Sequence, residues 1–173
     1  MVVVSDITPY DPNWPAMFEA EAIRLRRALG PVALRIDHHG STAVPGLAAK
    51  PVIDIQISVA TLRPFEAFGT PLEALGYVHV PHPDDAFCPF FHRPPQWPHT
   101  HHVHVVEAGG QEERRTLAFR DYLRQHHDAA HEYEHLKRQL MAEIDPRAAA
   151  ARETYAERKT AFVERILSLA LDG

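Results

Sequence analysis

The sequence predicts an α+β fold in one domain, a mixed β-sheet flanked by helices, and three observations carry that expectation. A chain of 173 residues, 45% of them hydrophobic, has room for one core of ordinary size. Strand-like alternation is concentrated before residue 108, whereas helical periodicity dominates after Gly109-Gly110. The run Val52-Ile53-Asp54-Ile55-Gln56-Ile57-Ser58-Val59 puts Ile53, Ile55, Ile57 and Val59 on one face of a strand and Asp54, Gln56 and Ser58 on the other. The apolar face packs, and the polar face meets a cleft or water.

Val2 to Ile7 reads as a first edge strand, turned by Pro9-Tyr10-Asp11-Pro12. A helix follows from Trp14-Pro15, capped by Asn13 or Asp11, with Trp14, Phe18, Ala22, Leu25 and Leu29 at three-to-four spacing and Gly30-Pro31 as its stop. Val32, Leu34 and Ile36 alternate with Ala33, Arg35 and Asp37, a strand that delivers His38 and His39 to a Gly40-Ser41 turn. His38 reads as a hydrogen-bonding support for that turn. After the strand 52–59, Thr61 to Leu75 is a second amphipathic helix, capped by Gly76, and Tyr77 to Val80 is a short strand. Asp84 and Asp85 lie in the loop beyond it. Ala86 to Arg93 and Thr100 to Glu107 form a strand pair joined by the Pro-rich loop 94–99, with His102, His104 and Val106 on one face. Three helices complete the chain, over Glu112 to His126, from an Asp128 cap to about Ile144, and from Asp145-Pro146 onward.

Asp54 calls for a physical reason, because a mid-strand carboxylate buried without a partner costs several kcal/mol. Thirteen residues upstream, the small-residue turn Gly40-Ser41-Thr42 opens a short helix whose backbone N–H groups suit a phosphate, and Lys50 can add positive charge. A phosphate on the turn and a cation on Asp54 make a nucleotide site that works through a metal. His102 and His104 share a strand face and can reach one cation; if their strand neighbours that of Asp54, the mixed Asp/His set suits Mn²⁺ or Zn²⁺ better than Mg²⁺. Arg120 and Arg124, four apart on a helix, suit a phosphate clamp or bond to neighbouring acids. Lys137 and Lys159 each follow a Tyr by four residues, as cleft cations or as surface lysines.

The wording His-x-Gly-Ser-Thr-Ala-Val-Pro-Gly-Leu-x-Ala-Lys-Pro-x-Ile-Asp-Ile, over residues 38–55, resembles the GrpB family, small bacterial proteins classed with the DNA-polymerase-β-like nucleotidyltransferase superfamily. The likeness extends through Tyr10-Asp11-Pro12-x-Trp14-Pro15-x-x-Phe18, His102-Val103-His104-Val105, Phe119-Arg120-Asp121-Tyr122-Leu123-Arg124, and the pairs Tyr133/Lys137 and Tyr155/Lys159. The resemblance implies a nucleotidyltransferase-like fold and metal-dependent binding of a nucleotide or phosphorylated small molecule, with nucleotidyl transfer as its activity. Catalytic roles then fall to Asp54 and Lys50, nucleotide contacts to Gly40, Ser41, Thr42, Arg120, Arg124 and Lys137, and Mg²⁺, Mn²⁺ or Zn²⁺ to Asp54, His102 and His104. Gln56 departs from the pattern, since the superfamily places a second, charged carboxylate there. One alternative is therefore a nucleotide- or small-ligand-binding protein without catalysis. Another is a His-based metal hydrolase or oxygenase centred on His102-x-His104-x-x-Glu107.

A net charge of −5 gives no electrostatic footprint for long nucleic acids. The single Cys88, set in Phe87-Cys88-Pro89-Phe90-Phe91, forms no internal disulfide and reads as buried and inert, in keeping with a reducing cytoplasm. Met1-Val2-Val3-Val4 is too short an apolar run for a signal peptide, and no stretch approaches the roughly eighteen apolar residues of a membrane span. The expectation is a cytoplasmic protein without a membrane partner. Its unusual count is 13 histidines, most of them in short internal groups.

Overall fold

The β-branched run 53–59 becomes the second strand of a five-stranded mixed sheet, and the rest of that sheet is ordered around it. The computed structural model describes residues 7–143 and 149–173, with side chains described as far as 143 and again from 157. Strands β1 (Arg35–His39), β2 (Ile53–Val59), β3 (Val78–His79), β4 (Phe90–Arg93) and β5 (His101–Glu107) lie in the order β1-β2-β5-β4-β3. β2 runs parallel to β5, and the other pairs are antiparallel. Helices α1 (Trp14–Leu29) and α2 (Glu66–Ala74) contribute to the core, while α3 (Gln111–Gln125), α4 (His127–Glu143) and α5 (Ala149–Leu171) follow the sheet. The fold class is thus α+β, as the sequence predicts. The chain forms two compact units, residues 1–116 and 117–173.

In the first unit the apolar face of β2 meets both early helices. Ile53, Ile55, Ile57 and Val59 pack with Trp14, Phe18, Ala22, Leu25 and Leu29 of α1, Phe68 and Leu72 of α2, and Phe91, Val103 and Val105 of the neighbouring strands. Each fully enclosed aliphatic side chain contributes about 1.5–3 kcal/mol, so this face holds the sheet in place. Phe65 stacks on Phe91 at 5.8 Å and meets Phe68 edge-on at 5.1 Å. In the second unit Tyr133 stacks on Phe162 at 5.1 Å and Phe119 meets Tyr133 edge-on at 5.4 Å, beside buried Leu140 and Ile166.

Several boundaries differ from expectation for local reasons. The segment Gly30–Val32 is a 3-10 turn carrying Pro31, so β1 starts only at Arg35 and Leu34 is left exposed. Helix α2 starts at Glu66 instead of Thr61, because Pro64 keeps the preceding residue out of helical conformation. The 3-10 turn Pro83–Ala86 occupies part of the segment read as strand, and β4 is confined to Phe90–Arg93. Asp128 lies in the first turn of α4 instead of capping it, a position the helix dipole favours for an acid. The edge strand expected from Val2 and the Asp145-Pro146 helix start fall outside the described residues. Thr8 forms an isolated bridge with Ala49. Among the described residues no helix is long and apolar enough to cross a membrane.

Candidate functional site

The polar face of β2 carries the site, and the pairing of its neighbours decides what surrounds it. His39 of β1 pairs with Asp54, Asp54 with His102 of β5, and His102 with His92 of β4, giving a row His39-Asp54-His102-His92 across four strands. The next row inward is Asp37-Gln56-His104-Phe90. The Asp54 and His102 strands are therefore neighbours, the condition on which the mixed Asp/His reading depended.

The Gly-Ser turn presses on this row from the end of β1. Gly40 sits at φ +70° and ψ −172°, and a side chain there would bring its Cβ within 2.5 Å of Asp54 Oδ2. Only a glycine lets the turn approach the carboxylate so closely. Ser41–Ala43 then forms a 3-10 turn. On the other face of β1, His38 Nε2 is 2.9 Å from Thr42 Oγ1 and its ring stacks on Phe18 at 4.9 Å. His38 thus braces the turn. The Thr42 hydroxyl, 1% exposed, also donates to Val52 O at 3.4 Å, so it is committed to internal bonds. Ser41 keeps partial exposure and Lys50 is exposed.

Asp54 is partly open, at 27% exposure, with Oδ1 3.4 Å from His102 Nδ1. Burial pushes its pKa up, but the His102 hydrogen bond and the neighbouring His39 and His104 rings outweigh burial and hold the carboxyl below its ordinary range. His104 titrates below the usual imidazole range, through burial first and then the His102 ring, with Asp54 opposing. Its Nδ1 faces Cys88 Sγ at 3.8 Å, and His39 meets its ring edge-on at 5.2 Å. Cys88 is half-buried; burial, then Glu112, Asp84 and Asp85, push its thiol up to about 12, consistent with an inert cysteine. Gln56 is 0% exposed, and among the described residues neither its carboxamide oxygen nor its nitrogen, nor the buried Ser58 hydroxyl, meets a hydrogen-bonding group.

His102 and His104 thus turn to different partners, His102 toward Asp54 and His104 toward Cys88. Among the described residues no three His, Cys, Asp or Glu side chains form a group that could hold a metal ion. In the loop after β3, Asp85 pairs with His79 at 2.9 Å, and Asp84 faces outward with His82 at 3.4 Å. Glu107 lies on the opposite face of β5 from both histidines and accepts from the Leu62 backbone at 3.4 Å, which disperses the hydrolase triad. One neighbour lacked any periodic signal: His99, in the loop before β5, whose Nδ1 lies 3.2 Å from His102 Nε2. Its only trace in the sequence is the density of histidines from 99 to 104.

The remaining candidates lie in the second unit. Arg120 Nε is 2.8 Å and Arg124 3.7 Å from the same Asp121 carboxylate, so the pair shares a neighbouring acid. Lys137 is 7% exposed with its Nζ 4.7 Å from the centre of the Tyr133 ring, a buried cation over an aromatic face and not a surface lysine.

Comparisons with known proteins agree over nearly the whole chain. The family model described as GrpB protein matches residues 5–169. A UPF0157 protein of Halalkalibacterium halodurans is 39% identical over 163 residues, 93% of this chain and 80% of that protein. The crystal structure of conserved protein GrpB from Enterococcus faecalis superposes with a TM-score of 0.83 at 34% identity, over 96% of this chain and 98% of that one. A shorter match, 48% identical over 79 residues, covers 44% of this chain and 19% of a dephospho-CoA kinase of Mycolicibacterium paratuberculosis. With its family model, a close relative and a solved fold in agreement, the chain belongs to the GrpB family.

Proposed function

We propose that the protein binds a nucleotide or a related phosphorylated small molecule, together with a divalent cation, where the Gly40-Ser41 turn meets Asp54, in the manner of the nucleotidyltransferase superfamily. The observation that carries this reading is the contact between the turn and an ionised carboxylate. A phosphate on the turn would stand beside the Asp54 charge, and two like charges about 4 Å apart near a protein surface cost about 4 kcal/mol. Anion binding there needs a cation between the two, and Asp54 Oδ2 is its handle while Oδ1 faces His102. One carboxylate suits Mg²⁺ or Mn²⁺ that takes its other ligands from phosphate oxygens and water. Such a cation would neutralise phosphate charge.

Gln56 favours binding over transfer. It is uncharged and enclosed at the position where the second carboxylate of a two-metal site would stand. A 79-residue segment, 19% of an enzyme named dephospho-CoA kinase, is shared with this chain, so dephospho-CoA joins the nucleoside triphosphates among the ligands to try. The test is thermal unfolding of wild type and Asp54→Asn with each ligand, with and without Mg²⁺ or Mn²⁺. Ligand at a hundred times Kd stabilises by about 2.7 kcal/mol. A shift that needs both ligand and metal and vanishes in Asp54→Asn is expected; an equal shift in the variant, or none in wild type, overturns the reading.

A further inference from the structure

We infer that His99 and His102 form a binding site for a single transition-metal ion of the Zn²⁺, Ni²⁺ or Co²⁺ kind, separate from the phosphate-borne cation at Asp54 Oδ2. The two rings face each other through His99 Nδ1 and His102 Nε2, 3.2 Å apart. Nitrogen donors 2.0–2.1 Å from an ion at that separation subtend an angle of about 100°, close to tetrahedral. The ion would replace the proton that otherwise joins the two imidazoles.

Both rings are held before any ion arrives. His99 stacks on His92 at 3.8 Å with planes 12° apart, and Trp97 meets it edge-on at 5.0 Å. His92 is fixed in turn by its Nδ1, which donates to Pro94 O at 3.1 Å. His102 packs edge-on against Phe90 at 5.0 Å and offers Nδ1 to Asp54 Oδ1 at 3.4 Å. That contact sets the tautomer: with the proton on Nδ1 facing the carboxylate, the Nε2 lone pair points toward His99. A carboxylate behind a ligating imidazole is the usual support of a histidine metal ligand, fixing ring orientation and raising its basicity. Asp54 is a positioning residue here.

The donor set decides which ions fit. Two neutral imidazoles favour Zn²⁺, Ni²⁺, Co²⁺ or Cu²⁺ and disfavour Mg²⁺ and Ca²⁺, which prefer oxygen. Two protein donors leave further positions for water or a small ligand, the arrangement of an open site. The inference does not depend on nucleotide binding.

The test is calorimetric titration of Zn²⁺, and separately Mg²⁺, into the full chain in a non-chelating buffer without nucleotide. One Zn²⁺ per chain is expected, with no comparable uptake of Mg²⁺. His99→Ala changes a partly exposed loop side chain, its fold checked by circular dichroism, and removes that binding, while Asp54→Asn weakens it by about 10–100-fold, the usual effect of losing a metal-supporting hydrogen bond. His104→Ala separates this site from a cation shared along the strand, and keeps Zn²⁺ affinity within a few fold. Absence of stoichiometric Zn²⁺ uptake, wild-type affinity in His99→Ala, or equal losses in His99→Ala and His104→Ala would each overturn the inference. The nucleotide- and Mg²⁺-dependent thermal shift persists in His99→Ala, so failure of one reading is distinguishable from failure of the other.

Discussion

Replacing Gly40 by Ala tests the contact on which the site is built. The added Cβ would lie 2.5 Å from Asp54 Oδ2 and 3.0 Å from Asp54 Cβ, at φ +70° and ψ −172°. That backbone region is essentially reserved for glycine and costs about 1–3 kcal/mol for any other residue. The carboxylate must also move away from the new methyl, which weakens its 3.4 Å contact with His102, worth about 0.5–1.5 kcal/mol at that length. Gly40→Ala should therefore destabilise by about 1.5–4.5 kcal/mol, read as a lower urea midpoint at unchanged slope. Gly46→Ala is a control for a positive φ without the clash, because Gly46 has φ +81° and no described residue within 4 Å of an added Cβ. In an Asp54→Ala background, Gly40→Ala should cost at least about 1 kcal/mol less than in wild type, the signature of two residues in contact. A cost below about 0.5 kcal/mol, or equal costs in both backgrounds, would refute the claim that the turn is pressed against Asp54.

Gln56→Met replaces an enclosed carboxamide, unpaired among the described residues, by an apolar chain of similar length, so stability should hold or rise. A loss above about 1 kcal/mol in urea unfolding would mean that the amide is hydrogen-bonded after all. Stability should also fall on acidification from pH 7.5 to 5.5. His101 and His104 both titrate below the ordinary imidazole range through burial first, helped by Arg93 and by the His102 ring respectively, so the unfolded chain takes up their protons first. The loss begins near pH 6.5, the unfolded imidazole value, and is complete below the folded values. The Asp54 contribution behaves otherwise: its carboxyl is depressed, so its stabilisation is present above about pH 3.9 and disappears only as pH falls through the folded value. A urea midpoint that rises between pH 7.5 and 5.5 would contradict the imidazole assignment.

The sheet was legible where a single strand carries its own instructions. In β2 the alternation of Ile with Asp54, Gln56 and Ser58 fixes both the strand and its two faces, because a slip of one residue would turn every isoleucine toward the polar side. The Gly40 turn was legible as well, since few other sequences allow a chain reversal so close to a carboxylate. Prolines obscured the rest. Pro31, Pro64 and Pro89 cut back β1, α2 and β4 relative to the apolar pattern, because each lacks a backbone donor and constrains its neighbours. The partner of β2 was not legible either, for its parallel pairing with β5 joins segments separated by α2, β3 and β4, and no local signal records it.

The histidines show most plainly why a site is harder to read than a strand. Alternation places His102 and His104 on one face of β5, which suggests a shared ion, yet side chains two apart on a strand leave it about 7 Å from each other and nearly parallel. Two nitrogens on one tetrahedral ion must come within about 3.4 Å and converge. A loop residue can fold back over the end of a strand and meet that demand as it stands, as His99 does over His102 at 3.2 Å, whereas the His102 and His104 rings face Asp54 and Cys88 and would first have to turn toward each other. His104 is left to face Cys88 instead. The pairing that matters chemically is therefore set by how the Pro-rich loop closes on β5, a tertiary fact with no periodicity. The Zn²⁺ titrations of His99→Ala and His104→Ala consequently discriminate between two geometries, one read along the strand and one read across the loop.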